Sequence, residues 1–117
     1  MVKLLVDCFD REYSLPSEEG KFLLGRGPRD RKYGVIIVPR LSSVSDEEFM
    51  VYYKLSRNHF IFENRKKGSL ISSIGANLTK IDGSTLNSDE VRILNGSKIS
   101  IEGLHGESPL IYTYYEK

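Results

Sequence analysis

The sequence predicts an all-β fold, an antiparallel sandwich built as one domain over residues 1–117. Three observations carry that expectation. Short runs rich in β-branched and aromatic residues recur along the chain, clusters of Gly, Pro, Asn, Asp and Ser punctuate them, and Lys98-Ile99-Ser100-Ile101 alternates strictly. A length of 117 residues fits one core and is too short for two ordinary domains. The 39% hydrophobic and 28% charged content is that of an average globular domain, not of a disordered or fibrous chain. The chain is also compatible with a domain cut from a longer protein.

In chain order, Leu4-Leu5-Val6 opens the first strand, and residues 15–20 read as a turn before Lys21-Phe22-Leu23-Leu24. Val35-Ile36-Ile37-Val38 is a continuous apolar run of the kind a fully buried strand shows, and Pro39 ends it because it has no N–H for the ladder. Phe60 to Glu63 and Leu70 to Ile74 flank the basic, glycine-containing stretch 64–69 and predict a hairpin. Lys80-Ile81, Val91 to Leu94, Lys98 to Ile101 and Leu110 to Tyr115 supply the remaining strands. One segment departs from the β pattern. Ser45-Asp46-Glu47-Glu48 has the spacing of a capping box and predicts a short helix near 46–53. The aromatic and β-branched content of Phe49 to Tyr53 would also suit a strand.

Seventeen basic and sixteen acidic side chains leave a net charge of +1, so no global field draws the chain to nucleic acid or to an anionic membrane. Any anion site must be a local cluster. Cys8 is the one cysteine, which rules out an intrachain disulfide and a cysteine zinc site and suits a reducing compartment. Asp7 interrupts the N-terminal apolar run too early for a signal peptide, and no run is long enough to span a bilayer. The expected location is therefore the nucleus or the cytoplasm.

Two loop stretches carry chemistry. Leu24-Gly25-Arg26-Gly27 closes a strand, and Leu55-Ser56-Arg57-Asn58-His59 precedes one. A phosphate is held by cationic forks, a hydroxyl and backbone N–H groups that glycine lets it approach. Arg26, Arg57, Ser56 and the Gly25–Gly27 turn supply those groups. His59 has no second ligand at metal spacing, and Ser56 and His59 are too close in sequence to imply a nucleophile–base pair. No metal, cofactor, small-molecule substrate or catalytic activity is expected.

Gly25-Arg26, then Ser56-Arg57-Asn58-His59, then the stretch from Gly75-Ala76-Asn77 to Asp82-Gly83, then Leu94-Asn95-Gly96-Ser97-Lys98-Ile99 resemble, in that order, the signature of the forkhead-associated (FHA) family. The resemblance implies a SMAD/FHA-like sandwich of about eleven strands that presents loops at one end to a phosphothreonine peptide. It implies phosphate contacts from Arg26, Ser56 and Arg57. Peptide contacts would come from Asn77 and from the backbone of Ala76, with Gly25 and His59 supporting the binding loop. Leu78 stands where the family pattern has glycine, and Asp82 where it has asparagine. Residues 55–62 look most like the checkpoint and meiotic effector kinases within that family. Lys54, two positions before Ser56, is placed to attract an acidic side chain near the phosphothreonine. The segment from Pro39 to Lys54 is longer than the family's usual loop and is expected on the binding rim.

The resulting function is phosphorylation-dependent binding of a partner protein in signalling. Two other readings stand beside it. One is a diverged FHA scaffold that contacts partners without phosphate. The other is nucleic-acid binding through Arg29-Asp30-Arg31-Lys32 and Arg65-Lys66-Lys67, against which the interspersed acids and near-neutral charge argue.

Overall fold

Alternating apolar and polar side chains lay down two sheets whose inner faces meet. The structure, a computed structural model, describes residues 2–28, 32–75, 77–102 and 109–117. Its strands are β1 (Lys3–Asp7), β2 (Glu12–Leu15), β3 (Gly20–Gly25), β4 (Gly34–Ile36), β5 (Phe60–Arg65), β6 (Gly68–Ser73), β7 (Thr79–Ile81), β8 (Ser84–Leu86), β9 (Val91–Ile93), β10 (Lys98–Ile101) and β11 (Leu110–Glu116). One sheet has the order β2-β1-β11-β10-β7-β8 and the other β4-β3-β5-β6-β9. Every second side chain points inward, so Leu5, Phe22, Leu24, Phe60, Phe62, Ile71, Ile99, Tyr112 and Tyr114 form one core between the sheets. Burial of these large side chains is the main favourable term for folding.

The expected all-β sandwich is present, with one parallel pairing: β4 runs alongside β3 with Leu24 opposite Val35. The run Val35 to Val38 is not a fully buried strand. Strand β4 ends at Ile36 on the sheet edge, where Ile36 is 59% exposed; Ile37 and Val38 turn fully into the core, and Val35 packs partly against it. Ile37 is fixed there by its N–H to the Gly25 carbonyl (3.0 Å) and by the Tyr112 hydroxyl, which donates to its carbonyl (2.7 Å).

The hairpin at 60–74 is tighter than the sequence suggests. Pairing continues to Arg65 opposite Gly68, leaving Lys66-Lys67 as a two-residue turn. Asn64 is thereby buried in β5, where its amide donates to the carbonyls of Pro16 (2.6 Å) and Glu18 (3.0 Å). Its Oδ1 accepts from the Lys3 ammonium (2.7 Å), which also donates to Ser69 Oγ (2.9 Å). A buried cation is thus held by hydroxyl and amide oxygens and ties the two sheets together. Asp82-Gly83 closes β7 onto β8, with φ values of 48° and 86° that suit the two-residue hairpin turn requiring left-handed backbone at both positions.

The capping box forms as expected. Helix α1 (Asp46–Tyr52) starts at Ser45, whose Oγ accepts from the Glu48 N–H at 3.2 Å. A 3₁₀ turn at Leu41–Ser43 leads into it. The helix is fastened to the β1–β2 end of the fold. Tyr52 donates to Asp7 Oδ2 at 2.6 Å, the Phe9 and Tyr52 rings meet at 5.6 Å, and Arg11 pairs with Glu48 at 3.1 Å. Asp7 accepts in addition from Tyr13 and from the N–H groups of Phe9 and Arg11, so its buried carboxylate serves four donors. Burial and the Asp7 contact push the Tyr52 hydroxyl far above its ordinary pKa, which keeps it a donor. Asp7→Ala leaves those donors unsatisfied and is expected to lower stability by about 3 kcal/mol and the thermal midpoint by roughly 10 °C. A melt indistinguishable from that of the parent protein would contradict this anchoring role.

Candidate phosphate-binding loops

The strand registers bring the predicted loops to one end of the sandwich. Strand β3 runs from Gly20 to Gly25 against β5 running from Phe60 to Arg65, so Gly25 and the residues before Phe60 lie together. Strand β6 returns from Gly68 to Ser73 and delivers Ile74, Gly75, Asn77 and Leu78 to the same end. The basic turn Lys66-Lys67 is at the opposite end.

At the site end the backbones touch. A Cβ placed on Gly25 would lie 1.9 Å from the Arg57 carbonyl oxygen and 2.8 Å from that of Ser56, so glycine is required for the two loops to meet. Arg26 then locks onto the second loop twice, through its N–H to the Ser56 carbonyl (3.1 Å) and its Nε to the Leu55 carbonyl (3.0 Å). Those bonds fix the plane of the half-buried guanidinium beside the Ser56-Arg57 turn. Ser56 is half-buried and Arg57 exposed, which is the arrangement a surface anion cradle needs.

His59 joins the remaining loop. Its ring is fully buried, and burial pushes its pKa down to about 4, so the ring is neutral at physiological pH. Nδ1 accepts from the Ser56 N–H at 3.1 Å, which leaves Nε2 to carry the proton and donate to Thr79 Oγ1 at 3.1 Å. The Thr79 hydroxyl in turn donates to the Asn77 carbonyl at 3.1 Å. The His59 carbonyl accepts from the N–H groups of Ile74 and Gly75, and its N–H donates to Leu24. Gly75 makes room for the ring, since a Cβ there would lie 2.6 Å from His59 atoms.

Arg26, Ser56, Arg57 and Asn77 are therefore brought to one end, with Gly25 and His59 in supporting positions. Lys54 is half-buried at the entry to the Ser56 turn. Ala76 lies outside the described residues. The β6–β7 loop does not need glycine at 78: among the described residues only Asp10 and Asp82 are non-glycine positions with positive φ, so Leu78 sits in ordinary backbone. Sequence reasoning did not find Thr79 or Gly75; the pairing of a fully buried histidine with a threonine twenty positions later has no local signature. Among the described residues no cluster of His, Cys, Asp and Glu could hold a metal ion.

No family model matches the sequence, and no curated protein does. Solved structures match its architecture. The N-terminal FHA domain of Rad53p from S. cerevisiae, in complex with a phosphothreonine peptide, superposes with a TM-score of 0.67 at 16% identity, covering 100% of this chain and 94% of that one. The fold is that of a forkhead-associated domain. An engineered FHA with a Myc-pTBD peptide gives a TM-score of 0.67 at 14% identity, covering 100% of this chain and 92% of that one. The FhaA FHA domain complexed with the intracellular domain of Rv3910 gives 0.62 at 19% identity, over 97% and 99% of the two chains.

In this FHA fold the neutral form of His59 is the folded form, so its contribution is complete above its unfolded pKa near 6.5 and is lost as pH falls toward about 4. The full difference corresponds to about 3 kcal/mol. Urea unfolding of the parent and of His59→Gln at pH values between 7 and 5 is expected to show the parent losing stability faster on acidification. Parallel pH dependence in the two proteins would contradict the role given to the neutral ring.

Proposed function

We propose that the domain binds a phosphothreonine-containing segment of another protein at the loop end formed by Arg26, Ser56, Arg57 and Asn77. The observation that carries this reading is the backbone lock between Gly25-Arg26 and Ser56-Arg57, which brings the two loops bearing Arg26, Ser56 and Arg57 into direct contact. FHA-fold proteins solved with a phosphothreonine peptide or a Myc-pTBD peptide support it by analogy.

Phosphorylation gives the partner's threonine a charge of about −1.5 to −2 and three acceptor oxygens. Arg26 would meet that charge with the Nη end of its fork, Arg57 would add a second cation and Ser56 a hydroxyl, while Asn77 would bond the backbone beside the phosphothreonine. Ala76 would add a backbone contact, and Lys54 would attract an acidic neighbour in the ligand. The readout is a kinase signal, in keeping with an intracellular, nuclear or cytoplasmic, checkpoint-type role. The nucleic-acid reading loses support at Arg65-Lys66-Lys67, because Arg65 is engaged by Glu63 and Glu90, each at 2.9 Å, which reduces the positive charge of that turn, while Arg29, Asp30 and Arg31 of the other basic group lie outside the described residues.

Charge-assisted hydrogen bonds contribute roughly 1.5–3 kcal/mol each, so Arg26→Ala combined with Arg57→Ala is expected to weaken phosphothreonine-peptide binding by about a hundredfold or more. Fluorescence anisotropy with matched phosphoserine and unphosphorylated peptides measures it. Undiminished binding by the folded double variant would overturn the site assignment.

A further inference from the structure

Helix α1 has two faces of opposite character. At about 100° per residue, Tyr52, Glu48 and Val51 fall on one side, which packs on the β1–β2 end of the fold. Phe49, Tyr53 and Met50 fall on the other, at 41%, 45% and 44% exposure. The Phe49 and Tyr53 rings stack on each other in solvent, 5.9 Å between centroids and 13° between planes. Three large apolar side chains concentrated on one helical turn make a patch of the kind that marks an interaction surface.

Two further features say what would cover it. Asp46 and Glu47 lie exposed beside the apolar arc, and neither is in an ion pair among the described residues, whereas Glu48 on the inner side is paired with Arg11. An occupant must therefore bring a basic group together with an apolar one. The second feature is position. Tyr53 caps the helix three residues before Ser56, the Leu55 N–H bonds back to the Tyr52 carbonyl at 3.0 Å, and Arg26 holds the carbonyls of Leu55 and Ser56. The patch is thus rigidly joined to the phosphate cradle. The Cα atoms of Tyr53 and Ser56 are at most about 11 Å apart, and Phe49 is roughly one helical turn further.

We propose that the outer face of α1 is a second contact surface for the phosphorylated partner. It takes one apolar and one basic side chain of the same ligand strand, about three to five residues from the phosphothreonine at an extended rise of about 3.3 Å per residue. The assignment rests on the phosphothreonine reading above. Stacked aromatic rings on a helix fixed at its back are a preorganised anchor of the sort that dominates peptide recognition.

Calorimetric titrations with a core phosphothreonine peptide and two longer ones test it. The longer peptides extend the core on the N-terminal or the C-terminal side by about six residues, with Leu about four residues from the phosphothreonine and Lys next to it. One longer peptide is expected to bind about tenfold tighter than the core, and Phe49→Ser combined with Tyr53→Ser, with an unchanged unfolding midpoint, should abolish that gain. No gain from either extension, or a gain that survives in the double variant, overturns the proposal. Absence of binding by the core peptide itself would remove the phosphothreonine reading, and this surface with it.

Discussion

The neutral imidazole of His59 is the constraint on which the loop end of the sandwich depends. One fully buried ring uses both nitrogens, and its residue uses both backbone groups, to join three segments that are far apart in sequence. The end of β3 is joined through Leu24, the Ser56-Arg57 turn through Ser56, and the β6–β7 loop through Ile74, Gly75, Thr79 and Asn77. The tautomer follows from the partners, because an N–H already points at Nδ1. A charged ring would set two donors against each other at Ser56, so the same burial that depresses the pKa also preserves the loop geometry.

A second buried group, the Asp7 carboxylate, plays the corresponding part on the scaffold side. It receives two backbone N–H groups of the β1–β2 turn and the hydroxyls of Tyr13 and Tyr52, which lets a charge be buried without a cation in direct contact. Through Tyr52 it fixes α1, and through the three residues that follow Tyr52 the helix position reaches Ser56. The long segment between β4 and β5 is therefore part of the framework and not an appended loop. Its inner face is tied to the fold, and its outer face is free of that duty.

Much of this was legible in the sequence where the signal was local. The capping box predicted α1 because reciprocal side-chain and backbone bonds need only a three-residue spacing, and the strict alternation of Lys98 to Ile101 matched its buried Ile99 and Ile101. Where partners are distant the signal faded. Strands β2 and β8, of four and three residues, carry too few apolar positions to stand out, and among the described residues β8 pairs only with β7. Asn64 looked like a turn residue because asparagine usually is one, yet it is buried by Lys3 and by the carbonyls of Pro16 and Glu18. Ile36 shared an apolar run with Ile37, and only the sheet edge separates the exposed one from the buried one. At the candidate site, the sequence motifs pointed to the loops of Arg26, Ser56, Arg57 and Asn77, while the hydrogen bonds through Thr79 that unite those loops had no local signal.

The most direct test is a nuclear magnetic resonance titration of the isotopically labelled domain with a phosphothreonine peptide and its unphosphorylated twin. Shifts of the backbone amides of Arg26, Ser56, Arg57 and Asn77, produced by the phosphorylated peptide alone, are the predicted result. Shifts centred on the Lys66-Lys67 turn or on the sheet faces, or the same shifts with both peptides, would contradict a phosphothreonine site at this end of the sandwich.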